Sequence, residues 1–151
     1  MEAPVGVELR RLVPGDEALA VAAAALLGIE APSDPGAALL RPEATVLVAV
    51  QEGKLTGCAY GHELVHPDGE RTMLLYSLDV DPAHLGRGIG RALVDAFVDD
   101  ARTRGCTEAW VLTEAGNVAG NATYAAAGGR RDPEPPVLYS WHLADGHHSS
   151  R

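Results

Sequence analysis

The sequence predicts an α/β domain in which a mixed β-sheet carries helices on both faces. Two β-rich runs flank Glu52-Gly53-Lys54, a turn typical of an antiparallel hairpin. A third β-rich run over 72–80 is followed by a helical pattern and by another run over 106–113. That order is typical of a β-α-β unit, whose two strands are parallel and whose crossover is right-handed. Because the two patterns combine antiparallel and parallel pairs, we expect a mixed sheet with helices on both faces.

The first third of the chain predicts one strand and two helices. The run over 5–12 is the first strand, and Pro14-Gly15-Asp16 turns the chain. The aspartate of that turn is a preferred N-cap for a helix over 17–27, and Gly28 fits a left-handed stop. The proline-rich segment 32–42 contains a short helical pattern, DPGAALL, which we expect to be mobile or to lie on the substrate side.

The middle of the chain predicts an antiparallel meander of three strands. The run TVLVAVQ begins at Thr45, and the run after the hairpin turn ends near Val65. The turn His66-Pro67-Asp68-Gly69 then leads into the strand over 72–80.

The segment from Gly88 to Arg104 predicts an amphipathic helix, with Gly105 as its left-handed stop. Its apolar residues recur at three- and four-residue spacing and form one stripe, namely Ile89, Leu93, Ala96, Phe97 and Ala101.

The remaining elements complete the sheet. After the strand over 106–113, the pattern predicts a helix over 117–127, ended by Gly128-Gly129, and a last strand over 137–143. We therefore expect six or seven strands in one domain over 1–143, followed by a disordered tail over 144–151.

Charge and composition exclude several classes of protein. The 151 residues include 21 acidic and 12 basic side chains, and the resulting net charge of −9 repels nucleic acid and anionic lipid but attracts cations. No apolar run reaches 18 residues and the N-terminus lacks a signal-peptide pattern, so we expect a cytoplasmic protein without a membrane anchor. Cys58 and Cys106 form no cluster with metal-ligand spacing, and no metal site is expected.

Three glycines alternate directly before the predicted helix, in Gly86-Arg87-Gly88-Ile89-Gly90. A helix N-terminus presents free N–H groups and partial positive charge, and glycines let an anion approach the backbone. The loop lacks the Lys-Ser/Thr pair of a P-loop. Arg91 stands where the dinucleotide-binding fingerprint needs glycine or alanine. The pattern therefore favours a pyrophosphate site of another kind.

The stretch from Leu78 to Leu93 resembles the acyl-CoA motif of the GNAT N-acetyltransferase superfamily. That motif is Q/R-x-x-G-x-G/A, after a strand that ends in V-x-P. The glycines match at Gly88 and Gly90, whereas Leu85 occupies the first position. The resemblance covers roughly residues 45–143.

A second family motif, N-x-x-A-x-x-x-Y followed by a glycine-aromatic pair, resembles the next predicted helix. Asn117 and Tyr124 match its two ends, Gly120 replaces the alanine, and Gly128-Gly129 replaces the pair.

The resemblance implies a GNAT fold and acetyl-CoA as co-substrate, with the glycine loop around the pyrophosphate and the end of strand 72–80 along the pantetheine arm. The residues implied to bind it are Leu78, Val80, Leu85, Gly86, Arg87, Gly88, Ile89, Gly90, Arg91, Asn117 and Tyr124. For Asn117, capping of its own helix is an equal alternative.

Acetyl transfer to an amine requires a deprotonated amine, a donor for the oxyanion and a proton for the leaving thiolate. The resemblance implies direct attack in a ternary complex, with the Val80 N–H as oxyanion donor and Tyr124 as the acid. The general base stays open between Glu114 and Asp79. Further alternatives are His62, Tyr76 and Ser77, the last at a position where relatives often carry an acid.

The run WVLTE and the Gly-Gly pair resemble the aminoglycoside 3-N-acetyltransferase branch of the family. This implies an antibiotic-resistance enzyme acting on a small polycationic amine, which suits the net charge of −9. Two alternatives stay open: a different small amine or a protein N-terminus as acceptor, and a non-catalytic acyl-CoA-binding protein. Relatives often dimerise through C-terminal strands, and the apolar run VLYSWHL leaves a homodimer open.

Overall fold

Caps and turns fix the ends of the elements in the computed structural model, which describes residues 3–144. Asp34 caps the short helix Pro35–Leu39, since its Oδ1 accepts a hydrogen bond from the Ala37 N–H at 3.1 Å. In chain order the elements are β1 Val7–Arg11, α1 Glu17–Leu26, α2 Pro35–Leu39, β2 Ala44–Gln51, β3 Lys54–Val65, β4 Arg71–Val80, a 3-10 turn Pro82–His84, α3 Ile89–Thr103, β5 Glu108–Val111 and α4 Val118–Ala126.

The five strands form one mixed sheet in the order β1-β2-β3-β4-β5. The pairs from β1 to β4 are antiparallel, and β4 pairs with β5 in parallel. Both the predicted meander and the predicted parallel β-α-β unit are therefore confirmed, and so is the α/β class.

One face of the sheet is covered by α3, whose apolar stripe forms the larger core. Ile89, Leu93 and Phe97 are almost completely buried there. Two glycines of β3 let the helix approach closely, because a Cβ on Gly57 would press on Leu93 and one on Gly61 would overlap the Phe97 ring.

The other face carries α1 and α2, which enclose a smaller core. Buried alanines of α1 pack there with Val48 of β2 and Cys58 of β3. Because α1 packs on β3 and on α2, these two helices lie over the β1–β3 side of the sheet.

The predicted last strand is not formed, so the prediction of six or seven strands was wrong for the described residues. The segment 137–143 has no strand pairing, and its apolar side chains are exposed, with Trp141 at 79% and Leu143 at 92%. An alternating apolar run predicts a strand only where a partner is available, and β5 is only Glu108–Val111 long. Of the predicted disordered tail, residues 145–151 lie outside the described part. Among residues 3–144, no helix has both the length and the apolar character needed to cross a bilayer.

Candidate active site

An opening lies between β4 and β5. The two strands pair only where Thr72–Leu75 faces Glu108–Val111, and β5 ends there, whereas β4 continues to Val80. The register between β3 and β4 shifts at the same level, so Tyr76 is the extra residue of a β-bulge opposite Tyr60. The last part of β4 therefore runs past the end of its neighbour.

The backbone of β4 points into this opening. The Asp81 N–H donates to the Thr56 carbonyl of the β3 side at 2.8 Å, and Val80 pairs with Gly57. Residues of an antiparallel strand direct their N–H and C=O groups alternately toward the partner and away from it. The backbone N–H and C=O groups of Val80 and Leu78 therefore point away from β3 and into the opening.

The glycine loop reaches the start of α3 through two residues in the left-handed region. The φ angles are +75° at Gly86 and +83° at Gly88, which favour glycine. Gly88 is the N-cap of α3 and supplies no side chain to the first-turn N–H groups, and that turn contains no acidic residue. The N–H groups and the partial positive charge of the helix end thus remain for an anion.

Asp81 and His84 hold the turn that leads into the glycine loop. An Asp81 oxygen accepts from the Ala83 N–H at 3.4 Å, the other lies 3.0 Å from His84 Nδ1, and Lys54 Nζ lies at 3.8 Å. Burial acts to raise the pKa of Asp81, but these hydrogen bonds and charges lower it overall. The next residue, Leu85, is 62% exposed.

The end of β4, the start of α3 and α4 meet at Gly90. A Cβ on Gly90 would lie 3.6 Å from Cγ2 of both Val80 and Thr123. Tyr124, the residue after Thr123, packs against the core beneath α3. The fold therefore brings together the strand end, the glycine loop and the tyrosine that the two sequence motifs singled out.

Asp79 influences both Tyr124 and Cys58. Burial raises the pKa of the Asp79 carboxyl above its ordinary value of 3.8. Burial first, and the Asp79 carboxylate second, raise the pKa of the Tyr124 phenol. The same two causes raise the pKa of Cys58, opposite Asp79 on β3, to about 12. The phenol is therefore kept as a proton donor, and the buried thiol is kept from acting as a thiolate nucleophile.

Asn117 caps α4, so the capping alternative is confirmed. Its Oδ1 accepts from the Gly120 N–H at 3.1 Å, and its Nδ2 donates to Thr113 Oγ1 at 2.9 Å. Contact between Asn117 and pantetheine stays a prediction. Glu114 lies exposed in the segment between β5 and α4, where its carbonyl accepts from Asn121 Nδ2 at 3.0 Å.

Three rings lie in a row on the sheet face opposite α3. The Tyr60 centroid is 6.3 Å from those of both His62 and Tyr76, with interplanar angles of 70° and 89°. Arg41 donates to His62 Nε2 at 3.0 Å, and because a guanidinium only donates, the ring proton belongs on Nδ1. Sequence reasoning missed Tyr60. Strand alternation places it beside His62, but the bulge that turns Tyr76 toward it has no sequence signal.

Residues 19–128, more than half of the chain, match the Acetyltransferase (GNAT) family. The chain belongs to the GNAT acetyltransferase family. The resemblance inferred from the two motifs is thereby confirmed, and so is the GNAT fold of this acetyltransferase domain.

Curated relatives of this GNAT domain act on different acceptors. A mycothiol acetyltransferase of Beutenbergia cavernae is 35% identical over 43% of this chain and 27% of its own length. A ribosomal protein bS18-alanine N-acetyltransferase of Salmonella typhimurium is 37% identical over 36% of each chain. The matches thus cover about a quarter to a third of these relatives.

Solved acetyltransferase structures share the fold over nearly the whole chain. An aminoglycoside acetyltransferase from an uncultured soil metagenomic sample, in complex with trehalose, superposes with a TM-score of 0.83 at 20% identity, covering 92% of this chain and 97% of the other. Its complex with sisomicin gives 0.75 at 21% identity, covering 93% and 97%. The aminoglycoside N-acetyltransferase AAC(6')-Iy, in complex with CoA, gives 0.74 at 18% identity, covering 91% and 95%.

GNAT acetyltransferases use acetyl-CoA, and the residues of this chain fit that co-substrate. The uncapped helix start and the left-handed Gly86 and Gly88 suit a pyrophosphate. Arg87 is exposed, and the Arg91 side chain is 44% exposed, so both guanidinium groups can add positive charge at the loop. Across residues 3–144, no group of three His, Cys, Asp or Glu side chains is arranged to hold a metal ion.

Proposed function

We propose that this protein transfers the acetyl group of acetyl-CoA to a primary amine by direct attack in a ternary complex, and that the amine belongs to an aminoglycoside. The observation that supports the reaction is the opening beside β4, where burial and the charge of Asp79 raise the pKa of Tyr124. The raised pKa of Cys58, about 12, supports transfer without an acyl-enzyme on that thiol.

Each residue has a distinct task in this proposal. The Val80 N–H, directed into the opening, stabilises the oxyanion of the tetrahedral intermediate. Tyr124 donates a proton to the leaving thiolate. Asp79 accepts the proton of the attacking amine, and its raised pKa brings the carboxyl closer to neutral pH, where a general base works best. Glu114 stays the second candidate for the base.

The aminoglycoside assignment rests on charge and on the solved neighbours. A net charge of −9 attracts a polycation, and the structural neighbours include an aminoglycoside acetyltransferase in complex with sisomicin. An assay of CoA release with sisomicin, kanamycin and gentamicin tests the assignment. Turnover with at least one of them supports it, whereas turnover only with another amine rules out antibiotic acetylation.

A protein N-terminus is the second candidate acceptor, favoured by the match to a ribosomal protein bS18-alanine N-acetyltransferase. A peptide beginning with alanine, assayed beside its N-formylated form, tests this acceptor, because only the free amine can accept the acetyl group.

A non-catalytic acyl-CoA-binding protein is the third candidate. Saturable acetyl-CoA binding without CoA release across the whole amine panel identifies it.

We also propose a homodimer through the C-terminal segment 137–143, and a cytoplasmic location. Five large apolar side chains of this segment are each at least two-thirds exposed, namely Val137, Leu138, Tyr139, Trp141 and Leu143. Exposed apolar stretches of this kind mark association surfaces. Light scattering should give the mass of a dimer for the wild-type protein and the mass of a monomer for Trp141→Glu. A monomer mass for the wild-type protein at every concentration contradicts the dimer. The co-substrate supports the cytoplasmic location, since polyanionic acetyl-CoA does not cross a bilayer unaided.

A further inference from the structure

We propose that Tyr60 and Tyr76 form a subsite for an organic ammonium group, here called the aromatic corner, which holds a second, non-reacting amine of the acceptor. This inference rests on the proposed function, because it concerns how a polycationic acceptor is positioned at the same opening.

The geometry of the aromatic corner comes from the β-bulge of β4. The register shift leaves Tyr76 as the extra residue opposite Tyr60, and the two rings stand at 89° with centroids 6.3 Å apart. Tyr76 is 60% exposed and Tyr60 is half-buried, so the angle between the two rings is open to solvent on the Tyr76 side. The rings pack edge to face, so beside the pair the face of one ring and the face of the other meet at a right angle. An ammonium group in that angle is attracted by the negative faces of the rings.

The charges around the row of rings indicate what occupies the corner. At the far end of the row, the Arg41 guanidinium donates to His62 and is paired with Glu43 at 3.4 Å, so that end already holds a cation with its carboxylate. Asp79 lies on the same strand face as Ser77, beyond Tyr76 along β4. An ammonium group is therefore drawn to the Tyr76 end of the row, next to the opening.

A positively charged group in the corner suits the chemistry of a polyamine. The attacking amine must be neutral, but the other amines of the same molecule stay protonated near neutral pH. A subsite for one of these ammonium groups would orient the neutral amine toward the opening, and such orientation contributes to rate as well as to affinity. The corner therefore selects diamines and polyamines over monoamines.

Tetramethylammonium binding to the whole protein tests the corner without requiring acetyl transfer. Tyrosine-ring NMR shifts during a titration should give saturable binding at Tyr60 and Tyr76. Tyr76→Leu should weaken it about threefold to thirtyfold, as expected for loss of a cation–π contact. Tyr76→Phe is the matched control, because it removes the hydroxyl and keeps the ring, and it should retain the wild-type dissociation constant.

A kinetic measurement links the corner to the reaction. The ratio of kcat/KM for spermidine to kcat/KM for butylamine should fall about tenfold in Tyr76→Leu and stay unchanged in Tyr76→Phe. Equal tetramethylammonium binding by wild type and Tyr76→Leu overturns the subsite. An absence of turnover with any amine, together with ring-dependent tetramethylammonium binding, overturns the proposed function and leaves the subsite standing.

Discussion

Asp79 of β4 and Tyr124 of α4 interact electrostatically, although they are 45 positions apart in the chain: burial first, and the Asp79 carboxylate second, raise the pKa of the Tyr124 phenol. The end of β4 and α4 both approach Gly90 at the start of α3, which brings the two residues together at the opening between β4 and β5. A carboxylate beside a half-buried phenol keeps that phenol protonated, as a proton donor requires.

Asp79→Asn should lower the pKa of Tyr124. The variant removes the negative charge that disfavours the phenolate, while burial, the larger cause, stays in place, so the pKa should fall but remain above the ordinary value of 10.0. Ultraviolet titration of the tyrosines, compared with a Tyr124→Phe background, measures the change. Asp99→Asn, at an exposed position of α3, is the control and should leave the titration unchanged. An unchanged Tyr124 pKa in Asp79→Asn would refute the electrostatic contact.

The same variant should alter the pH dependence of stability. Burial raises the pKa of Asp79 in the folded state above 3.8. The contribution of this carboxyl to the free energy of unfolding is therefore fully present below pH 3.8 and is lost as pH rises through the folded pKa. Asp79→Asn should therefore be more stable relative to wild type at pH 7 than at pH 3.5. Urea unfolding at the two pH values measures the difference, and a constant difference argues against the raised pKa.

Gly88→Ala should weaken acetyl-CoA binding fivefold or more. A Cβ at φ +83° costs roughly 1 kcal/mol of strain and shifts the N–H groups at the start of α3. Gly28→Ala introduces similar strain at φ +72° after α1, away from the loop. Calorimetry should show comparable losses of stability for both variants, but a weaker acetyl-CoA affinity only for Gly88→Ala. Equal affinities would mean that the loop does not hold the pyrophosphate.

Gly61→Ala should destabilise the fold by about 1–3 kcal/mol, because its Cβ would overlap the Phe97 ring and press on the Leu74 carbonyl. Gly116→Ala is the matched control, since a Cβ there meets nothing within 4 Å and the backbone is not left-handed. Chemical denaturation of both variants measures the free energy of unfolding. A Gly61→Ala protein as stable as Gly116→Ala would contradict the close approach of α3 to β3.

The sequence was sufficient for the antiparallel meander, the β-α-β unit and the glycine loop, because hydrophobic periodicity, turn residues and the acyl-CoA motif are local signals. It was insufficient for the segment 137–143, because an alternating run cannot reveal whether a neighbouring edge will accept it. The electrostatic interaction of Asp79 with Tyr124 arises from helix packing, and the ring pair of Tyr60 and Tyr76 arises from a bulge. Both depend on residues that are distant in the chain. Asn117 shows the opposite case, since its cap could be expected from residue type alone.

Acetylation of an amine by this domain, with Tyr124 as the proton donor, is tested most directly by the kcat of sisomicin-dependent CoA release in wild type and Tyr124→Phe. We expect measurable turnover in wild type and a kcat lower by about a hundredfold in the variant, the usual effect of removing a general acid, with unchanged acetyl-CoA affinity. Equal kcat values in the two proteins would contradict the assignment of Tyr124, and a wild-type protein that binds acetyl-CoA but releases no CoA with sisomicin or any other amine would contradict the claim as a whole.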